Sequence, residues 1–158
     1  MRMLLAVAVV TGLLAGHAFA ADYVSRGLRI AQPWARPAAQ GMNGAAYLEV
    51  TNTTKADDVL LAVEAPVARK ADIHRSEVTG GMARMKALAG GIAVPAGKTI
   101  KLAPGGDHVM LSGLKSPLTV GGRTPMTLVF RKAGRIQVEL LVQTSANAPQ
   151  DPAPEHKH

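Results

Sequence analysis

The chain has 158 residues, a formal net charge of +7 from 18 Lys and Arg against 11 Asp and Glu, and no cysteine. Without a thiol it can be neither a blue-copper electron carrier, which needs a Cys ligand, nor a thiol–disulfide enzyme, and an exported domain of this kind must hold itself together through its core alone. The cations do not gather into runs, which speaks for a solvated basic surface, or one suited to an acidic protein partner, rather than for nucleic-acid binding.

In chain order, residues 1–20 read as a signal peptide. Arg2 supplies a positive start, Met3 to Leu14 is an apolar run interrupted only at Thr11 and Gly12, and Ala18-Phe19-Ala20 is a small-x-small cleavage site. The run is shorter than the ~18–20 apolar residues that span a bilayer, so cleavage before Ala21 and a periplasmic or secreted product are expected, with no later membrane span. The remaining 138 residues (158 − 20) suit one domain, assigned to 21–145, that can bury a sizeable core.

Trp34 reads as a packing residue near the first strand. Ala46, Leu48 and Val50 alternate with Tyr47, Glu49 and Thr51, which is the period of a strand. After the Thr79-Gly80-Gly81 turn signal come Met82 and Met85. Pro104-Gly105-Gly106-Asp107 marks another turn, leading into His108-Val109-Met110 on an expected strand, with Val109 facing the core. Met126, Leu128 and Phe130, then Ile136, Val138, Leu140 and Val142, repeat the alternation on either side of Ala133-Gly134. Short strands with turns at this spacing predict an all-β antiparallel sandwich or barrel. Residues 146–158 are rich in Pro and polar residues and read as a disordered tail ending in Glu155-His156-Lys157-His158.

Two His/Met pairs carry the chemistry. His108 and Met110 are two apart on a strand and share a face, about 6.6 Å apart by rise. If the hairpin reverses at Thr79-Gly80, His74 lies directly opposite Met85; if it reverses at Gly80-Gly81, Met85 becomes a diagonal neighbour still within reach. Met82 has the opposite parity and reads as core filler, as does Met126. Thioether sulfur is a soft donor that selects Cu(I), and imidazole suits copper in either state, so His74, Met85, His108 and Met110 are the candidate ligands of one Cu(I). In the tail, His156 and His158 offer nitrogen without sulfur and are the candidate ligands of a second, Cu(II) site.

At these residues the chain resembles the periplasmic copper chaperone family called PCu(A)C. The resemblance rests on ten residues between His74 and Met85, twenty-two between Met85 and His108, and the stretch Pro104-Gly105-Gly106-Asp107-His108-Val109-Met110. Ala45-Ala46-Tyr47-Leu48 and Ile92-Ala93-Val94-Pro95-Ala96-Gly97 are similar as well, so the likeness covers Leu28 to Val142. Arg75 departs from it, standing where the family usually has Glu directly after the His. The resemblance implies a cupredoxin-like Greek-key fold, no enzymatic activity, and copper delivery toward the binuclear centre of cytochrome c oxidase, with that copper subunit or a Sco-type protein as partner. A copper storage or resistance protein and a metal-free β-sandwich binding module are the rival readings. An enzyme is disfavoured because the sequence has no Gly-x-Ser-x-Gly elbow and no Cys nucleophile.

Overall fold

A computed structural model describes residues 21–145, which form eleven strands and no helix. The signal segment 1–20 and the tail 146–158, with His156 and His158, lie outside the described residues. In chain order the strands are β1 (Tyr23–Ser25), β2 (Leu28–Ala35), β3 (Gly44–Asn52), β4 (Asp58–Glu64), β5 (Ala68–Thr79), β6 (Met82–Ala87), β7 (Ile92–Val94), β8 (Thr99–Leu102), β9 (Asp107–Leu114), β10 (Arg123–Phe130) and β11 (Gly134–Val142).

Hydrogen bonding runs β6-β5-β9-β3-β2-β11-β10-β4-β7, with β1 added to β2 and β8 to β3. All pairs are antiparallel except β11 with β2, which run parallel through Leu141 and Val142 against Trp34 and Ala35. The all-β, cupredoxin-like expectation therefore holds, with one parallel pair in an otherwise antiparallel ladder. β3 is the hub: Gly44 to Ala46 pair with β9, while Leu48 to Thr51 pair with β8. β2 carries a bulge between Ala31 and Trp34, with Gln32 at φ 50°. Pro33 falls inside this irregularity, where its missing N–H breaks no regular ladder.

The alternating residues read from sequence turn inward together. Leu48, Val50, Val109 and Leu111 meet Leu60, Met126, Leu128, Phe130, Val138 and Leu140 in one buried cluster. Each such side chain contributes about 1.5–3 kcal/mol on burial. Trp34 is buried too, its ring tilted 38° against that of Tyr47 with centroids 4.6 Å apart. Two buried polar residues tie loops to this frame. Asn52 donates through Nδ2 to the carbonyls of Ala56 and Val94 and accepts from the Thr54 N–H and hydroxyl. Asp58 accepts from the backbone N–H groups of Val59, Lys132 and Ala133.

The β5–β6 hairpin decides between the two turns left open and corrects the reading of Met82. Its turn is Gly80-Gly81, so His74 pairs with Ala87 and Ser76 with Met85. Both glycines have positive φ, 60° and 77°, the backbone a two-residue hairpin turn of type I′ requires. Direct opposition of His74 and Met85 is therefore replaced by the diagonal relation. Met82 is not core filler: β6 is an edge strand beyond the core, all its residues are exposed, and Met82 is among them.

Candidate metal centre

β5 and β9 pair antiparallel, with His74 opposite His108, Asp72 opposite Met110 and Arg75 opposite Asp107. Opposed residues share a face. Ile73, Val109 and Leu111 occupy the inner face and are buried, so His74, His108 and Met110 stand on the outer one. Ser76 has the parity of His74, and its partner Met85 joins the same outer face. The two imidazole centroids are 5.9 Å apart with planes at 51°.

His108, Met110 and Met85 line one open cleft of about 410 Å³, together with Arg36, Tyr47 and Pro104. His74 is not on that wall; its ring lies beside that of His108. Exposure grades sharply around the cleft: His108 is 4% exposed, His74 and Met110 are intermediate, and Met85 is 62% exposed on the edge strand.

The turn before β9 shapes the His108 side chain. Gly105 has φ 85° and the Gly106 N–H donates to the Ala103 carbonyl at 3.1 Å, the geometry that Pro then Gly favours in a type II turn. The Gly106 carbonyl then faces His108 Nδ1 at 3.0 Å. A carbonyl can only accept, so Nδ1 carries the proton and Nε2 keeps its lone pair for a ligand. His74 Nδ1 is buried and has no hydrogen-bond partner. A buried nitrogen left unpaired is costly, and a cation bound by the imidazole pair changes that balance. Among the described residues no three His, Cys, Asp or Glu side chains gather around a common point, while the thioethers of Met110 and Met85 share the face of the two imidazoles, and thioether is a soft donor.

Arg75 and Asp107 form the next pair of the ladder after the two histidines, on the opposite face by strand alternation. The guanidinium donates through Nε at 2.7 Å and through Nη2 at 2.9 Å to the two carboxylate oxygens. That hydrogen bonding, with the carboxylate's charge, raises the Arg75 pKa above its ordinary value. The cation that departs from the expected Glu is thereby neutralised one ladder position from the histidines. Arg36, at the cleft, sits 5.7 Å from the Tyr47 ring centroid in a cation–π arrangement. Arg36, Tyr47 and Asp107 are not among the site residues that the sequence points to, and Asp107 meets Arg75 only through the β5–β9 register.

An all-β, cupredoxin-like domain with a His/Met cleft on the outer face of its sheet is the class defined by these features. The chain belongs to the family described as "Putative lipoprotein LpqE-like", whose model matches residues 28–142. A curated relative, "Putative lipoprotein Lxx21020" of Leifsonia xyli subsp. xyli, is 32% identical over 122 residues, covering 77% of this chain and 73% of its own. The likeness to PCu(A)C domains is borne out by solved structures. The apo PCuAC domain from PmoF1 matches with TM-score 0.66 and 31% identity over 78% of this chain and 98% of that one. The copper-bound PCuAC domain from PmoF2 gives 0.65 and 27% over 78% and 97%. The Cu(I) form of DR1885 from Deinococcus radiodurans gives 0.56 and 33% over 71% and 76%. No helix among the described residues is long and apolar enough to cross a membrane.

Proposed function

We propose that this chain is a periplasmic copper carrier whose domain, residues 21–145, binds one Cu(I) through His74, Met85, His108 and Met110. The observation that carries the reading is the direct opposition of His74 and His108 on a face they share with Met110 and Met85. Two imidazoles and two thioethers form a soft donor set, and the relatives solved with copper, one of them as Cu(I), support the same cargo.

The graded exposure suits a carrier. His108 and His74 give the anchored side of the site, while Met85 lies on an exposed edge strand, where an incoming ligand can displace it first. The acceptor we infer is the copper subunit of cytochrome c oxidase or a Sco-type thiol protein, reached outside the cytoplasm after removal of residues 1–20. His156 and His158 form a second, weaker site for Cu(II) in this reading.

The test is copper transfer. The Cu(I)-loaded protein should pass copper to an apo cytochrome oxidase copper domain faster than it releases copper to a chelator. Equal rates would favour storage over delivery. Absence of Cu(I) binding would favour a metal-free binding module.

A further inference from the structure

Arg75 and Asp107 are adjacent in sequence to His74 and His108, and the same register that opposes the histidines opposes this pair. Their contact is bidentate, at 2.7 and 2.9 Å, and the Asp107 side chain is only 18% exposed. A further contact joins the turn before β9 to β5. The Gly106 carbonyl accepts from His108 Nδ1 at 3.0 Å and from the Ser76 N–H at 3.3 Å. The turn 103–106 is thus held to β5 by a side-chain fork at Asp107 and a backbone bond at Gly106, and the oxygen held this way is the one that fixes the His108 tautomer.

We infer that the Arg75–Asp107 ion pair is a positioning device: it straps the 103–106 turn to β5 and so keeps the Nδ1–H tautomer of His108, with Nε2 presented as the metal-binding nitrogen. The argument needs no large energy. A partly exposed ion pair of this kind contributes little to overall stability, but a planar fork restricts orientation as a single point charge does not. Once Arg75 is removed, nothing charged holds Asp107 against β5 at this register position, and the Gly106 carbonyl moves with the turn. The consequence for copper rests on the reading of the site proposed above; the consequence for the imidazole does not.

The experiment is therefore read first without metal. Long-range 1H–15N spectra of the apo protein report the tautomer of each histidine. The wild-type protein should show His108 as the Nδ1–H form. Arg75→Gln and Asp107→Asn should each mix the tautomers of His108 and speed exchange of the Ser76 amide by about tenfold. Arg75→Lys should give an intermediate result, since charge remains but the fork is lost. The exchanged pair, Arg75→Asp with Asp107→Arg, should restore the wild-type spectrum. In the Cu(I)-loaded protein, Arg75→Gln should release copper several-fold faster than wild type. An unchanged His108 spectrum in both single variants would overturn the inference, and so would mixing that the exchanged pair does not repair. If the apo spectra respond as expected but the wild-type protein binds no Cu(I), the strap stands and the copper reading of the site fails.

Discussion

His74 and His108 stand directly opposite each other on neighbouring antiparallel strands, with their rings 5.9 Å apart on the outer face of the sheet. Thirty-three positions separate them in the chain (108 − 74 − 1). Only the β5–β9 pairing brings them together, and the same pairing sets Met110 on their face.

The two methionines separate binding from folding. Met110→Leu keeps the volume of a half-buried side chain and removes its thioether, so it should weaken Cu(I) binding while costing under about 1.5 kcal/mol of stability. Met85→Leu, at an exposed position, should weaken Cu(I) binding with a stability change within about 0.5 kcal/mol. Denaturant melts and competition titrations against a Cu(I) chelator measure both quantities.

Asp58 should govern the acid side of the stability profile. Burial pushes its pKa up, but the N–H donors of Lys132, Ala133 and Val59 and the Lys132 charge outweigh burial, and the net result lies below the ordinary value of 3.8. A depressed folded-state value means that its contribution is fully present above the unfolded pKa. The contribution is lost as pH falls through the folded value. Asp58→Ala strands these backbone donors and should cost about 3 kcal/mol near neutral pH. Urea melts from pH 7 down to pH 3 should show the wild type losing part of its advantage over the variant at the acid end.

Gly91 is the least replaceable of the described glycines. It has φ +78°, and a Cβ there would lie 2.1 Å from the carbonyl oxygen of Leu60, which is backbone and cannot swing aside. Gly91→Ala should cost more than about 3 kcal/mol. By contrast Gly80, also at positive φ, has open space around it, so Gly80→Asn should cost little, because Asn tolerates the left-handed region. Thermal melts of the two variants give the comparison.

The tail site has its own test. Truncation after Gln150 should leave Cu(I) binding by the core unchanged and remove one Cu(II) equivalent in calorimetric titration. If Cu(II) stoichiometry and affinity are unchanged, His156 and His158 do not form a site.

Much of this architecture was legible in the sequence because burial imposes a strict period of two on strands that cover a core. Ala46, Leu48 and Val50 and the series Ile136 to Val142 announced their inward faces, and all are buried. His-x-Met on β9 was legible for the same reason. Local alternation does not encode which strands are neighbours, so the β5–β9 pairing and the Arg75–Asp107 contact were invisible. The hairpin register turned on one residue: Thr79-Gly80 and Gly80-Gly81 were both acceptable turns, and the positive φ of both glycines selects the second. Parity places Met82 off the face of Met85 but not in the core, because a methionine on an edge strand beyond the core stays in solvent on either face.

The central claim is tested most directly by anaerobic Cu(I) titration of the protein followed by X-ray absorption at the copper edge. The account predicts one tightly bound Cu(I), with about two sulfur and two nitrogen scatterers, and loss of one sulfur in Met110→Leu. A first shell of nitrogen and oxygen alone, or a shell unchanged in both Met85→Leu and Met110→Leu, would contradict it.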